Sequence, residues 1–297
     1  MTMKIRRLLT CFFVLTVALM AVDAVAQSGP TFKFADVKAK GATETDTYAV
    51  NDAGVIAGDY IDSSGTQHGL ILNKAAVTSF DGPAGSTTIA AYGINNSNVA
   101  VGWYVDANGV ITGFTYASGT LTPIIYPKAT ATEVNGINDN GWLVGTFVDK
   151  KAVQHGFYWD TKKFHPITVK GAVTTTAWAI NNANTITVYT TDSSGLPVDG
   201  FLLNGTKYTN VDVPGYTENA LHGISNNGDL DYTVFDSSSN RHGVLFEASS
   251  GTYTVFDDPK GVNGTRADGI NVKLEMVGRY TPSGGSTNVG FKVTTKP

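Results

Sequence analysis

Residues 92–116 read YGINNSNVAVGWYVDANGVITGFTY, and this stretch decides the fold because it recurs along the chain. Equivalent stretches begin at Tyr48, Asn135, Trp178, His222 and Asp268. Each contains an aliphatic residue followed by a polar one, and the polar residues are Asn51, Asn95, Asn138, Asn181, Ser225 and Asn271. Their spacings are 44, 43, 43, 44 and 46 residues. Self-similarity at a fixed period of this length is typical of a repeat architecture, and we number the repeats units 1 to 6.

Each unit has room for four short β-strands. In unit 1 the first strand ends at Asn51, and the turn NDAG, the strand VIAGDY, the turn DSSG and the strands HGLIL and VTSFDGP follow. Alternating apolar and polar residues bounded by Gly, Asn, Asp and Pro predict an antiparallel meander. Four strands per unit, repeated radially, predict an all-β fold, a six-bladed β-propeller with four-stranded antiparallel blades. Unit 6 ends after its third strand, so TFKFADV from Thr31 is expected to complete the last blade and close the ring.

The first 26 residues are predicted to be a signal peptide that is cleaved. Lys4, Arg6 and Arg7 precede an apolar run over residues 8–22, and residues 24–26 read AVA, a small-x-small cleavage pattern. Residues 27–297 are then expected to form a single propeller domain of six repeats of about 44 residues. We expect the protein to be exported, either secreted or periplasmic, without membrane insertion.

The composition of residues 27–297 excludes several classes of function. The only cysteine, Cys11, lies in the predicted signal peptide, which excludes cysteine catalysis, thiolate metal sites and disulfides. That segment also holds three of the 21 Lys and Arg and one of the 25 Asp and Glu, which leaves 18 and 24 and a net charge of −6. A mildly acidic chain without a basic patch argues against nucleic acid or an anionic membrane as the partner.

Residues that recur in one register of several units are interpreted as scaffold. The turn DANG resembles a fragment of a calcium loop, but the equivalent turns also contain a single Asp each, namely Asp62, Asp106, Asp149, Asp192 and Asp236. One Asp per turn suits backbone capping better than calcium, which needs several oxygen ligands. His68, His155 and His242 share the position before the third-strand Gly, so we expect each to hydrogen-bond a neighbouring turn or strand.

The first strand of each blade is expected to line the central channel. Positions of this strand at which the units differ are therefore interpreted as candidate site positions. The register two residues before the repeated Asn is always Gly or Ala, which indicates crowding near the axis. The register three before it contains Tyr48, Tyr92, Asn135, Trp178, His222 and Asp268. The register five before it contains Asp46, Ala90, Glu133, Thr176, Ala220 and Arg266. Two interpretations stay open: these side chains pack the channel, or they form a ligand site at the mouth where the first strands begin.

The repeated pattern GIN..G..vG.y, followed by HGF and a PGA-like loop, resembles the bacterial extracellular HAF-repeat family of predicted propellers. The resemblance extends over nearly the whole of residues 27–297, although Val188 and Leu274 depart from it where other units have Gly or a turn residue. It implies an extracellular repeat protein and no particular activity.

We predict a secreted, monomeric, non-enzymatic binding protein whose partner is a glycan or an extracellular protein. Aromatic side chains beside amides and acids suit the stacking and hydroxyl recognition of sugars. The ligand-binding candidates are Tyr48, Tyr92, Asn135, Trp178, His222, Asp268, Glu133 and Arg266. No catalytic residue, metal ligand or cofactor is assigned. The alternative is a metal-assisted hydrolase or lactonase, in which Glu133, Asn135, Asp46 and Asp268 hold a metal such as calcium at the channel mouth.

Overall fold

The computed structural model describes residues 30–296, and all their regular secondary structure is β. The predicted all-β fold class is therefore confirmed. Within this range there is no helix that is long and apolar enough to cross a membrane. The predicted signal peptide, residues 1–26, lies outside the described residues.

The strands follow the four-strand pattern predicted for each unit, after an N-terminal strand β1, Thr31–Val37. The first strands are β2 Glu44–Val50, β6 Thr88–Ile94, β10 Ala131–Ile137, β14 Thr174–Ile180, β18 Asn219–Ile224 and β22 Gly261–Ile270. The second strands are β3 Ile56–Ile61, β7 Ala100–Val105, β11 Leu143–Val148, β15 Ile186–Thr191, β19 Leu230–Phe235 and β23 Met276–Pro282. The third strands are β4 Gln67–Asn73, β8 Ile111–Ala117, β12 Gln154–Trp159, β16 Pro197–Asn204, β20 Arg241–Glu247 and β24 Val289–Lys296. The fourth strands are β5 Ala76–Phe80, β9 Thr120–Ile124, β13 Phe164–Ile167, β17 Lys207–Asn210 and β21 Thr252–Phe256.

The strands of units 1 to 4 form four separate four-stranded antiparallel sheets. The strands of units 5 and 6 belong to one eight-stranded sheet, because a single parallel bridge links Arg241 of β20 to Gly264 of β22. This sheet also contains β1, which pairs antiparallel with β24 from Phe32–Thr295 to Val37–Gly290. The four-stranded antiparallel arrangement expected of each blade is thus observed.

The hydrophobic core lies between neighbouring sheets. Phe80 of unit 1, for example, packs in one cluster with Ile89 and Phe114 of unit 2. Six such clusters occur in the described residues, each shared by two neighbouring units. Burying an aliphatic or aromatic side chain of this size contributes roughly 1.5–3 kcal/mol, so these clusters supply the main force that holds the sheets together.

The first strands lie side by side around a central channel. Each contacts the first strands of the neighbouring units, and β22 contacts both β18 and β2. The approach is so close that a Cβ atom on Gly93 would lie 2.8 Å from the carbonyl oxygen of Asn135, and one on Gly136 would lie 2.8 Å from that of Trp178. The crowding predicted from the small-residue register is confirmed at these positions.

Candidate functional site

The variable register of the first strands coincides with a β-bulge in every unit. In unit 2, Ala91 pairs with Gly102 and Gly93 pairs with Val101, which leaves Tyr92 without a partner in the ladder. The register shifts of the other units fall at the equivalent residues, Tyr48, Asn135, Trp178, His222 and Asp268. Because a bulge re-aims a side chain, these six bulge residues turn toward the channel.

The bulge residues form a layer of side chains across the channel. The Tyr92 ring centroid lies 4.3 Å from that of Tyr48 and 5.5 Å from that of Trp178. Trp178 in turn lies 4.7 Å from His222, and its Nε1 donates a 3.2 Å hydrogen bond to the carbonyl oxygen of Asp268. Tyr92 is half-buried and the other bulge residues are buried. The layer separates two mouths, the entry mouth where the first strands begin and the exit mouth where they end.

Two members of the layer are held by backbone carbonyls. Asn135 Nδ2 donates to the Ala177 carbonyl at 3.0 Å, and His222 Nδ1 donates to the Ala267 carbonyl at 2.6 Å. Burial, helped by the nearby Arg266, lowers the pKa of His222 to about 3. His222 is therefore a neutral packing residue at physiological pH.

The repeated Asn residues tie the units together at the exit mouth. Asn51 Oδ1 accepts hydrogen bonds from the amides of Ala53 and Val55 at 3.1 and 3.0 Å, and Nδ2 donates to the Asn95 carbonyl at 3.0 Å. The same bond between units joins Asn95 to Asn138, Asn138 to Asn181, Asn181 to Ser225 and Asn271 to Asn51, at 3.2, 3.0, 3.3 and 2.9 Å. The position that the sequence indicates as a turn residue therefore also makes the hydrogen bond between neighbouring units.

The residues that directly follow the repeated Asn or Ser position form a polar rim around the exit mouth. We define the exit rim as Asp52, Asn96, Asp139, Asn182 and Asn226. Asn96 Nδ2 donates to Asp52 Oδ2 at 2.8 Å and to Asp139 Oδ2 at 2.9 Å. Asn182 also donates to Asp139 Oδ2, at 2.7 Å, and Asn226 donates to Asp52 Oδ2, at 3.2 Å. Burial alone would raise the pKa of Asp139, but the bonds from Asn182 and Asn96 hold it below its ordinary value, so this carboxylate is ionised at neutral pH.

A pocket of about 90 Å³ lies between the exit rim and the layer. Its lining includes Tyr48, Tyr92, Asn135, Trp178 and Asp268 below, and the Asn and Asp residues of the first-strand ends above. Pockets that engulf a whole small ligand are of about 300–1,000 Å³. A ligand at the exit mouth would therefore insert one group and rest the remainder on the rim.

The entry mouth is lined by two facing sets of residues. One is the predicted register of Asp46, Ala90, Glu133, Thr176, Ala220 and Arg266. The other consists of their cross-strand partners, Asp59, Trp103, Thr146, Tyr189, Thr233 and Arg279. Sequence reasoning missed the second set. Residues directly opposite each other on an antiparallel pair lie on the same face, so the strand register would have pointed to it.

Two arginines neutralise the buried acid of the layer. Asp268 accepts hydrogen bonds from Arg266 Nε at 2.7 Å and from Arg279 Nη1 at 3.1 Å. Burial alone would raise the pKa of Asp268, but the two guanidinium groups hold it below its ordinary value. The Arg266 guanidinium lies 5.6 Å from the Trp178 ring centroid and that of Arg279 lies 4.8 Å from the Tyr48 ring centroid. Both are therefore oriented by an ion pair and by an aromatic face.

The remaining acids of the entry mouth have raised pKa values. Burial, together with the adjacent Asp46, raises the pKa of Asp59 to about 8, although Gln67 donates a 2.8 Å hydrogen bond to Asp59. Burial also raises the pKa of Asp46 and of Glu133. The negative charge of this mouth at neutral pH is accordingly smaller than its count of acids implies.

The structure divides the sequence-predicted candidates between these regions. Tyr48, Tyr92, Asn135, Trp178 and Asp268 line the exit pocket, His222 lies within the layer, and Glu133 and Arg266 lie at the entry mouth. The pocket thus opens at the mouth opposite to the expected one, because the side chains of the layer fill the channel below the first-strand ends. Within residues 30–296 no group of three or more His, Cys, Asp or Glu is placed to hold a metal ion, and the four proposed metal ligands are not brought together as a set.

The residues interpreted as scaffold make local hydrogen bonds. In the DANG turn, Asp106 Oδ1 accepts from the amides of Asn108 and Val110 at 2.8 and 2.9 Å. His155 Nε2 lies 3.2 Å from Asp149 Oδ2 of the preceding turn. His68 and His242 each contact the Asp of that turn and a second Asp that follows the fourth strand. The predicted structural role of these histidines is confirmed.

No protein-family profile matches the chain, and no characterised protein matches it in sequence. Its fold is similar to several solved structures. A mutant of the Aleuria aurantia lectin in complex with Fucα1-6GlcNAc is 10% identical, with a TM-score of 0.52 over 86% of this chain and 96% of that one. The SapL1 lectin in complex with α-methyl fucoside is 9% identical, with a TM-score of 0.53 over 86% and 96%.

A third similar structure is TolB from Acinetobacter baumannii, which is 11% identical, with a TM-score of 0.53 over 85% of this chain and 64% of that one. The Aleuria aurantia lectin is itself a six-bladed β-propeller. At identities this low the similarities bear on the fold, and with the four-stranded antiparallel sheets they show that this chain has a β-propeller fold.

Proposed function

We propose that the protein binds carbohydrate at the exit mouth and acts as a binding protein without catalysis. The observation that carries this proposal is the pairing of an aromatic floor with a polar rim in one pocket: Tyr92 and Trp178 lie below, and carboxylates and amides lie above. Sugars present apolar C–H faces and closely spaced hydroxyl groups, which such a combination recognises.

The hydrogen bonding of the exit rim suits hydroxyl groups in particular. Asp52 and Asp139 each accept two amide hydrogen bonds through Oδ2. An ionised carboxylate has about four lone-pair positions, so Asp139, whose pKa is lowered, can accept a further bond from a ligand. Charge-assisted hydrogen bonds are roughly twice as strong as neutral ones, and the exposed positions of Asp139 and Asn182 leave them open to a ligand. Fucosylated glycans are the first ligands to test, because two of the similar structures are complexes of lectins with fucose-containing ligands.

The proposal includes the wider organisation of the chain. Six units of one spacing, the pairing of β1 with β24 and the Asn271–Asn51 hydrogen bond support a single domain of six blades that the N-terminal strand closes. Cleavage after residue 26, export, a monomeric state and membership of the HAF-repeat family remain predictions from the sequence.

The test is a glycan array followed by calorimetry with the best ligand. Asp139→Asn and Asn182→Ala are expected to weaken binding at least tenfold, because both remove partners from the exit rim. The matched control is Asn108→Ala in an exposed turn between a second and a third strand, which should leave affinity unchanged. Melting curves verify that each variant is folded. Unchanged affinity in both rim variants would overturn the assignment of the site, and the absence of any glycan ligand would overturn carbohydrate binding and favour a protein partner.

A further inference from the structure

The arginines of this chain are concentrated at one place. Residues 30–296 contain three, Arg241, Arg266 and Arg279, and all three belong to units 5 and 6 at the entry mouth. Arg266 and Arg279 are cross-strand partners. Arg241 pairs with Gly264, two residues before Arg266, and its guanidinium lies 5.9 Å from the Phe235 ring centroid. Burial and then the charges of the other two arginines lower its pKa. The three guanidinium groups repel one another, so the fold must hold them close together.

The fold holds two of them rigidly. Asp268 takes one hydrogen bond from Arg266 and one from Arg279, and each guanidinium lies over an aromatic ring of the layer. A guanidinium has five N–H donors. Arg266 uses Nε for Asp268, and Arg279 uses Nη1, so most of their donors remain for another partner.

The nearby acids do not cancel this positive charge. Asp268 is one carboxylate shared between two arginines, and Asp46 Oδ1 approaches Arg279 Nε only to 3.8 Å. Arg241 has no carboxylate partner within salt-bridge distance in the described part of the chain. One side of the entry mouth is thus net positive. Solvent reaches it, since the Arg266 side chain is 25% exposed.

The rest of the mouth offers hydroxyl, amide and carboxylate groups. Gln154 Nε2 donates to Thr176 Oγ1 at 3.0 Å, and Glu133 is half-buried with a single weak contact from Thr146 at 3.5 Å. These groups suit the hydroxyl groups of a ligand whose anionic end lies at the arginines. Trp103, which is half-buried and lies opposite Ala90, adds aromatic surface at this mouth.

We propose that the entry mouth is a second binding site, which takes a small hydroxylated carboxylate such as a sugar acid, with its carboxylate against Arg241, Arg266 and Arg279. Planar guanidinium groups match the geometry of a carboxylate. The site lies on the other side of the layer from the exit pocket, so it stands or falls independently of carbohydrate binding there.

The test compares D-glucuronate with D-glucose by NMR titration or calorimetry, because glucose has the same ring without the carboxylate. Glucuronate is expected to bind at least tenfold more tightly than glucose and less tightly as salt is raised. Arg241→Gln and Arg266→Gln are each expected to weaken glucuronate binding at least fivefold. Arg241 has no part in the Asp268 ion pairs, so its variant should keep the fold even if Arg266→Gln does not.

The control is Lys74→Gln, which removes one positive charge from an exposed turn between a third and a fourth strand. It should leave glucuronate affinity unchanged. Equal affinity for glucose and glucuronate, or a loss in Lys74→Gln as large as that in Arg241→Gln, overturns the proposal. Undiminished binding by Arg241→Gln also overturns it.

Discussion

The ring of asparagines at the exit mouth allows a graded test of what joins one unit to the next. Asn138 Nδ2 donates to the Asn181 carbonyl at 3.0 Å and to Asn184 Oδ1 at 2.8 Å. Its Oδ1 accepts from the amides of Asn140 and Trp142 at 3.1 and 3.0 Å. The first pair of bonds joins unit 3 to unit 4, and the second pair closes the turn within unit 3.

Substitution of Asn138 separates these two roles. Each hydrogen bond contributes about 1 kcal/mol net, and a buried group left without a partner costs more. Asn138→Ala removes four bonds, but water can reach the amides of the turn, so we expect a loss of about 3 kcal/mol. Ser225 holds the same position in unit 5, where its Oγ accepts from two amides of the turn. Asn138→Ser should therefore keep the turn and lose only the bonds between units, about 1–2 kcal/mol.

The assay is equilibrium unfolding in urea of the wild type and both variants, with Asn108→Ala as an exposed control expected to change stability by less than about 0.5 kcal/mol. The essential result is that the free energy of unfolding decreases from the wild type to Asn138→Ser and again to Asn138→Ala. If the Ser and Ala variants were equally stable, the hydroxyl would not replace the turn-closing oxygen and the reasoning from Ser225 would fail. If both matched the wild type, the ring of asparagines would not stabilise the junction between units.

Two further predictions concern pH and the N-terminal strand. Although burial acts in the opposite direction, hydrogen bonds to Asp81 and Asp62 raise the pKa of His68. Its contribution to stability should be complete below about pH 6.5 and disappear as pH rises through the raised value. Unfolding midpoints of His68→Gln, with the equivalent His242→Gln as a replicate, should approach the wild type at high pH, and a pH-independent difference would contradict this. Deletion of Thr31–Val37 should lower the melting temperature by more than ~10 °C, since it exposes β24; an unchanged melting temperature would rule out closure by this strand.

The all-β fold and its strand pattern were predicted from the sequence because the six units of the chain can be aligned with one another. Six copies of an aliphatic–polar pair, with Asn in five units and Ser225 in the remaining one, indicated the spacing of the units, and the alternating segments within each unit indicated its strands. The variable register was also found, because the comparison of units separates it from the scaffold. That this register lies in a β-bulge was not predicted. A bulge adds one residue to the pairing of two strands, and this leaves no visible change in the sequence pattern of the first strand. The structure does explain the Gly of the second strand in unit 2, because a Cβ on Gly102 would clash with the Ala90 carbonyl oxygen.

The pocket at the exit mouth was not predicted from the sequence. The variable registers pointed to the mouth where the first strands begin, but a register does not say how far side chains fill the channel. Asn51 and Asp52 were interpreted as turn residues only, since their bonds to unit 2 join residues 44 apart in the sequence. Arg279 was missed because it lies on a second strand, and only the strand register places it opposite Arg266.

The bulges have a consequence for engineering. A bulge residue has no directly opposite partner in the strand register, so exchanging its side chain disturbs no cross-strand pair. The bulge residues meet at one level of the channel yet are encoded at six separate positions, and all but Asp268, which pairs with Arg266 and Arg279, can be randomised one by one. The constraint is collective: the sum of the side-chain volumes must still fill the channel. A combinatorial library that holds this total constant while it varies charge and shape would turn the floor of the pocket into a selectable recognition surface on an unchanged scaffold.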